Sequence, residues 1–129
     1  MTTRSIAIGS DGTIHIVYGE KNLHHAYFDG TWHTEIVDSA DDYYIGKYAS
    51  IALDSSNNPH IVYSQGSKEI KYAYFNGTWH IDTIDSNAYL AYGSSVALDA
   101  SSNPHIVYYD ESNDCNKWYS PQSKLWTQI

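Results

Sequence analysis

Arginine occurs once in this chain, at Arg4, and cysteine once, at Cys115. The lone arginine, together with a net charge of −8, leaves no basic patch to neutralise phosphates, so nucleic acid and anionic membrane are expected not to be partners. The lone cysteine excludes an intrachain disulfide. The opening residues Met1 to Gly9 lack the apolar h-region of a secretory signal. No stretch keeps a 3.6-residue apolar period, so helix should be nearly absent. Gly-rich phosphate loops, His-Glu-x-x-His and Gly-x-Ser-x-Gly are missing too, which removes the common sequence signatures of nucleotide binding, zinc proteolysis and serine hydrolysis. Tyrosine is what the chain has instead: 13 Tyr and 4 Trp stand against 2 Phe. Large rings with a polar edge suit sheet faces and sugar-contacting surfaces alike. At 129 residues and 42% apolar, the chain is long enough for one domain with a buried core.

An internal repeat organises the whole sequence. Ser5-Ile6-Ala7-Ile8 returns at Ser50-Ile51-Ala52-Leu53 and Ser95-Val96-Ala97-Leu98, 45 residues apart each time. Ile14-His15-Ile16-Val17-Tyr18 returns in step as Pro59-His60-Ile61-Val62-Tyr63 and Pro104-His105-Ile106-Val107-Tyr108. Ala26-Tyr27-Phe28-Asp29-Gly30-Thr31-Trp32 becomes Ala73-Tyr74-Phe75-Asn76-Gly77-Thr78-Trp79, and Trp126 follows Trp79 by the same 47 residues that separate Trp79 from Trp32. Each unit reads as four short strands, a to d; in the middle unit these are 50–54 (a), 60–63 (b), 70–75 (c) and 79–85 (d), with an Asn76-Gly77 two-residue turn between the last two. Four-stranded antiparallel units of about 45 residues in tandem predict an all-β fold of β-propeller blades. A β-sandwich would account for the strands but not for a repeat of the whole sequence. The chain is thus read as one three-blade domain over 1–129, with blades at about 5–39, 50–86 and 95–129.

The Ile-x-Val-Tyr strand, the aromatic-Asp/Asn-Gly turn and the Trp that follows resemble the repeats of small propeller lectins, fucose-binding ones among them. That resemblance implies a secreted or surface location and a sugar site made of an arginine, a glutamate and a tryptophan. The matching positions here hold Ile16, Ile61 and Ile106; His25 and Tyr72; and Phe28 and Phe75, so the scaffold is similar while the known sugar contacts are replaced. Gly-Thr-Trp also resembles the end of the Asp-box of sialidase propellers. The arginine triad implied by those enzymes cannot be supplied by Arg4 alone.

No catalytic residue, cofactor or metal site is expected. His15, His60 and His105 occur once per blade on strand b, which spreads them around a ring where zinc would need them converging at about 2 Å. They read as structural, hydrogen-bonded within the blade to Asp54 or Asp99, a partner that Gly9 lacks in the first unit. Trp32, Trp79 and Trp126 read as packing between blades. The acid pairs Asp41-Asp42 and Asp110-Glu111 stand in loop sequence where solvated carboxylates are ordinary. Ligand-binding candidates are the aromatic links between units, with Asp42, Tyr43, Tyr44, Tyr48, Tyr89 and Tyr92, which suit a glycan. Structural self-assembly without a small ligand is the other reading. Three blades fall short of the usual four to eight, so a homodimer closing a six-bladed ring is expected, with an open filament as the other outcome of head-to-tail contact.

Overall fold

Short segments rich in β-branched and aromatic residues, cut by Asp, Ser, Asn and Gly, pair with their sequence neighbours because each connection is too short to reach elsewhere. The computed structural model describes residues 4–40, 45–89 and 92–129. Three sheets result among the described residues, each an antiparallel meander. Blade 1 is β1 (Arg4–Ile8), β2 (Ile14–Gly19), β3 (Asn22–Phe28) and β4 (Trp32–Ser39). Blade 2 is β5 (Ile45–Leu53), β6 (Pro59–Gln65), β7 (Glu69–Phe75) and β8 (Trp79–Asp85). Blade 3 is β9 (Tyr92–Leu98), β10 (Pro104–Asp110), β11 (Cys115–Ser120) and β12 (Leu125–Gln128), with one 3-10 turn at Glu111–Asn113. Each sheet is one repeat, so no strand is lent between them.

Three details differ from the sequence reading. Strand β5 begins at Ile45 rather than Ser50, because register shifts between Ile45 and Lys47 and between Lys47 and Ser50 absorb the extra residues as bulges. Tyr48, read as part of a link, is therefore in a strand, with φ 57°. The turn between β7 and β8 has three residues, since Phe75 pairs directly with Trp79; Gly77 sits at its apex with φ 108°, and His80 Nε2 lies 2.7 Å from Asn76 Oδ1 across it. The third tryptophan is out of register with the other two. Trp32 and Trp79 pair with Phe28 and Phe75 at the hairpin end, whereas Trp126 pairs with Tyr119, one step inside the Ser120 and Leu125 pair, because the blade 3 turn is longer.

The core lies between blades rather than within them. Val17, Leu23 and Val37 of blade 1 pack with Ile45, Ile51, Ile61, Tyr63 and Ala73 of blade 2. The opposite face of blade 2, with Val62, Ile70, Tyr72 and Ile84, packs on Val96, Ile106, Tyr108 and Tyr119 of blade 3. Strand β6 is consequently buried continuously from Pro59 to Ser64, while β2 alternates buried and half-buried residues. A strand covered on both faces loses the polar alternation that one-sided strands keep.

Repeated polar locks align the blades. Tyr63 donates its hydroxyl to Asp38 Oδ2 at 2.7 Å, and Tyr108 does the same to Asp85 Oδ2 at 2.7 Å. Ser5 Oγ accepts the Ile51 N–H at 3.3 Å, and Ser50 Oγ accepts the Val96 N–H at 3.4 Å. The junction of blades 2 and 3 adds Lys117, buried, with Nζ 3.2 Å from Asp85 and 2.6 Å from Asp110. Burial opposes the charge on Asp110, but hydrogen bonds from Lys117, Ser112 and Asn113 outweigh it and hold the carboxyl well below its usual range. Lys117→Met should leave two inward carboxylates without their cation and cost about 3–5 kcal/mol in a urea melt. A loss below about 1 kcal/mol, the scale of a surface pair, would show that the triad is not a support of this junction.

Candidate functional site

Strand b carries a histidine at the same place in every blade, and each blade treats it differently. In blade 2, His60 Nε2 lies 3.2 Å from Asp54 Oδ2, and its Nδ1 faces the Tyr72 hydroxyl. In blade 3, His105 Nε2 lies 3.2 Å from Asp99 Oδ2, and the ring stacks on half-buried Trp118 at 5.7 Å. Both aspartates also bind the turn that follows strand a: Asp54 Oδ1 accepts from the Ser56 and Asn58 N–H groups, and Asp99 Oδ1 from those of Ser101 and Asn103. The Asn103 hydrogen bonds, foremost among several, lower the Asp99 carboxyl to about 2.

Blade 1 departs from this pattern. Gly9 replaces the aspartate, and a Cβ there would lie 2.6 Å from Asp11 Oδ1 and 3.1 Å from Asn57 Oδ1. The turn is held instead by Asp11, which accepts the Thr13 N–H at 2.9 Å. His15 thereby loses its carboxylate partner on Nε2. Its Nδ1 turns to His25 Nε2 at 3.0 Å, and His25 Nδ1 reaches Glu35 Oε1 at 2.8 Å. Both imidazoles are buried, whereas the Glu35 side chain is 40% exposed. The three residues lie on β2, β3 and β4 because pairing sets His25 opposite Glu35 on adjoining strands.

These side chains line one side of a cleft of about 220 Å³ between blades 1 and 2. Blade 1 contributes His15, His25, Tyr27 and Glu35; blade 2 contributes Asn57, Asn58, Pro59 and Phe75. Tyr27 stacks on the rings of both histidines, at 6.1 Å and 5.7 Å. Trp79 meets His25 edge-on at 5.6 Å and is half-buried between the blades; its Nε1 is buried without a hydrogen-bond partner among the described residues. Asn57 fixes the rim by accepting from Ser10 N–H at 2.9 Å. Aromatic faces beside convergent acceptors and amides are the chemistry of a small polar ligand site. Among the described residues no group of three His, Cys, Asp or Glu side chains is arranged to hold a metal ion.

Of the residues singled out from the aromatic links, Tyr48 and Tyr89 do not line this cleft. Asp42, Tyr43 and Tyr44 lie outside the described residues. Tyr48 is half-buried in β5, with its carbonyl accepting from Ser94 Oγ at 2.6 Å; Tyr92 begins β9; Tyr89 is exposed. Trp32 is also exposed, at 55%, although its equivalent Trp79 is half-buried. Among the cleft residues His25 was legible as a departure, standing where blades 2 and 3 carry Tyr72 and Trp118 opposite Val62 and Val107, whereas Phe75 repeats Phe28 and Glu35 has Asp82 as its counterpart. His25 and Phe75 are also the positions of the glutamate and tryptophan implied by the lectin resemblance, and they line this cleft from opposite blades.

Burial, with the neighbouring His25 second, lowers the His15 pKa below 6.5. The unfolded chain then binds more protons than the folded one below about pH 6.5, so this contribution is complete above that pH and lost as pH falls towards the folded value. Chemical denaturation from about pH 7 to pH 5 should therefore show a flatter fall in stability for His15→Asn than for the parent. Identical slopes would remove His15 as the titrating group.

No protein-family model matches the chain, and no protein of curated function matches it. Among solved structures it is similar to a fucose lectin from Kordia zhangzhouensis determined in complex with methyl-fucoside, at a TM-score of 0.65 and 20% identity. The match covers 98% of this chain and 97% of that one. Likeness at that identity speaks for the fold. With three four-stranded antiparallel sheets stacked face to face, this chain has the all-β architecture of the small propeller lectins.

Proposed function

We propose that the protein is a non-catalytic propeller module that binds carbohydrate in the cleft between blades 1 and 2. The observation that carries this reading is the meeting of Phe75 and Tyr27 rings with His15, Glu35, Asn57 and Asn58 in one small cleft on a lectin-like scaffold. A volume of about 220 Å³ is below the range for drug-sized ligands, about 300–1,000 Å³, and suits a single sugar ring. The sugar's hydroxyls would find acceptors and amides, and its apolar face a ring to lie on. Ile16 in place of the arginine, and His25 in place of the glutamate, mean that the resemblance does not specify fucose. The cleft carboxylate Glu35 is engaged with His25, and Asp110 is bound by Lys117, which speaks against either as a hydrolytic acid.

The working form is proposed to be an assembly of this chain with itself. Ile6 is 62% exposed, whereas its equivalents Ile51 and Val96 are each 7% exposed beneath a neighbouring blade. Ile8, Trp32 and Ile36 of blade 1 are exposed as well. Ser95, the next in the series whose earlier members Ser5 and Ser50 each accept an N–H from the following blade, is exposed on blade 3. The occupant that fits blade 1 is blade 3 of a second copy, and two chains of three blades make six. A structural role without a ligand would require the same contact.

A broad glycan array should register the parent protein, and Phe75→Ala should lose the signal while Tyr89→Ala keeps it. A silent parent would defeat the carbohydrate reading; loss on Tyr89→Ala with Phe75→Ala unaffected would move the site to the links between units. Light scattering should give about twice the 14.6 kDa chain mass. A stable monomer would overturn the assembly, and a filament would replace the closed ring.

A further inference from the structure

The chain of contacts Glu35, His25, His15 occurs in blade 1 alone among the described blades, and each link constrains the next. Glu35, ionised, can only accept, so His25 must carry its proton on Nδ1. A neutral His25 then has a bare Nε2, which accepts from His15 Nδ1–H at 3.0 Å. A neutral His15 so oriented has a bare Nε2, and no side chain among the described residues hydrogen-bonds that atom. In blades 2 and 3 the same nitrogen faces an aspartate and must donate to it.

We propose that Glu35, acting through His25, makes His15 Nε2 a hydrogen-bond acceptor in the cleft, so that the site selects a ligand hydroxyl that donates to it and releases that ligand on acidification. The proposal deepens the carbohydrate reading and rests on the cleft being the binding site. Its proton balance has one outcome. A single proton added to the pair either stays on His15, protonating Nε2, or is accommodated by moving the Nδ1 proton of His15 across to His25 Nε2. In both cases His15 ends with Nε2–H, whichever ring holds the charge, and the acceptor has become a donor. Glu35 is thus a positioning residue, and His15 the group that would touch the ligand.

The surroundings set the sign. From the turn after β1, Asp11 attracts a proton to His15, but burial and the neighbouring His25 act the other way and prevail. Tyr27 of β3 stacks on both rings, and His33 of β4 stacks on Tyr27 while its Nε2 is held by Asp29 at 3.0 Å. From blade 2 the facing groups are Asn57, Asn58, Pro59, Phe75 and Trp79, none of them charged at ordinary pH. The acceptor state therefore prevails at neutral pH.

Imidazole nitrogen NMR on the intact protein tests this, with His15 assigned by comparison with His15→Asn. At about pH 8 both His15 and His25 should be Nδ1–H tautomers, and acidification to about pH 5 should protonate His15 Nε2. Glu35→Gln keeps an acceptor and should retain the tautomers while moving proton uptake to lower pH; Glu35→Leu removes it and should release them. Methyl-fucoside, as a neutral probe, should shift the His15 Nε2 signal at the higher pH and not at the lower. His15 found as Nε2–H at the higher pH, or a tautomer and titration unchanged in Glu35→Leu, would overturn the proposal. Equal binding of the probe at both pH values would also overturn it while sparing the carbohydrate reading. Ring states as stated with no response to the probe or to any glycan on the array would defeat that reading and the ligand part of the proposal together.

Discussion

A four-stranded sheet with two apolar faces can bury both only between two other sheets, and that constraint governs this protein. Blade 2 meets it along its inner strands: Ile61 and Tyr63 face blade 1, Val62 and Tyr72 face blade 3, and β6 has no exposed residue from Pro59 to Ser64. Neither outer blade meets it within one chain. The apolar contact is non-directional and would tolerate blades sliding over one another. The Tyr–Asp pairs and the serine-to-backbone bonds supply the direction that apolar packing lacks, because each is made only at one relative height of the two sheets.

Burial has a cost at these locks, which explains where the charges sit. The Tyr63 and Tyr108 hydroxyls are pushed well above their ordinary range, by burial first and then by the carboxylates they donate to, so both remain donors at any physiological pH. Lys117 can be buried because Asp85 and Asp110 flank it, Asn113 donates to the same Asp110 oxygen, and Ser112 donates to the other. The same requirement, that a buried polar atom have a partner, shapes the cleft. Where blades 2 and 3 satisfy their histidine with an aspartate, blade 1 satisfies His15 through His25 and Glu35, and no side chain among the described residues hydrogen-bonds its Nε2. Function in a repeat protein is read most readily from the copy that breaks the rule.

The repeat of Ser-Ile-Ala and of His-Ile-Val-Tyr was enough to establish three blades of four antiparallel strands, because strand pairing here is local and alternation with turn residues is visible residue by residue. The same pattern exposed the Gly9 exception and the aspartates that His60 and His105 use. Loop length was less legible. A bulge at Lys47 and Tyr48 and a longer turn before Leu125 leave the sequence offset unchanged while moving side chains relative to the ladder, so Trp126 matched Trp79 in number but not in register. What only the tertiary structure decided is the junction: that Phe75 and His25 line one cleft from opposite blades, that Trp79 is half-buried while Trp32 is exposed, and that His15, His25 and Glu35 form one hydrogen-bonded line. Periodicity along a strand records which face a side chain takes, but which neighbour covers that face depends on the stacking of whole sheets, and no single repeat contains that information.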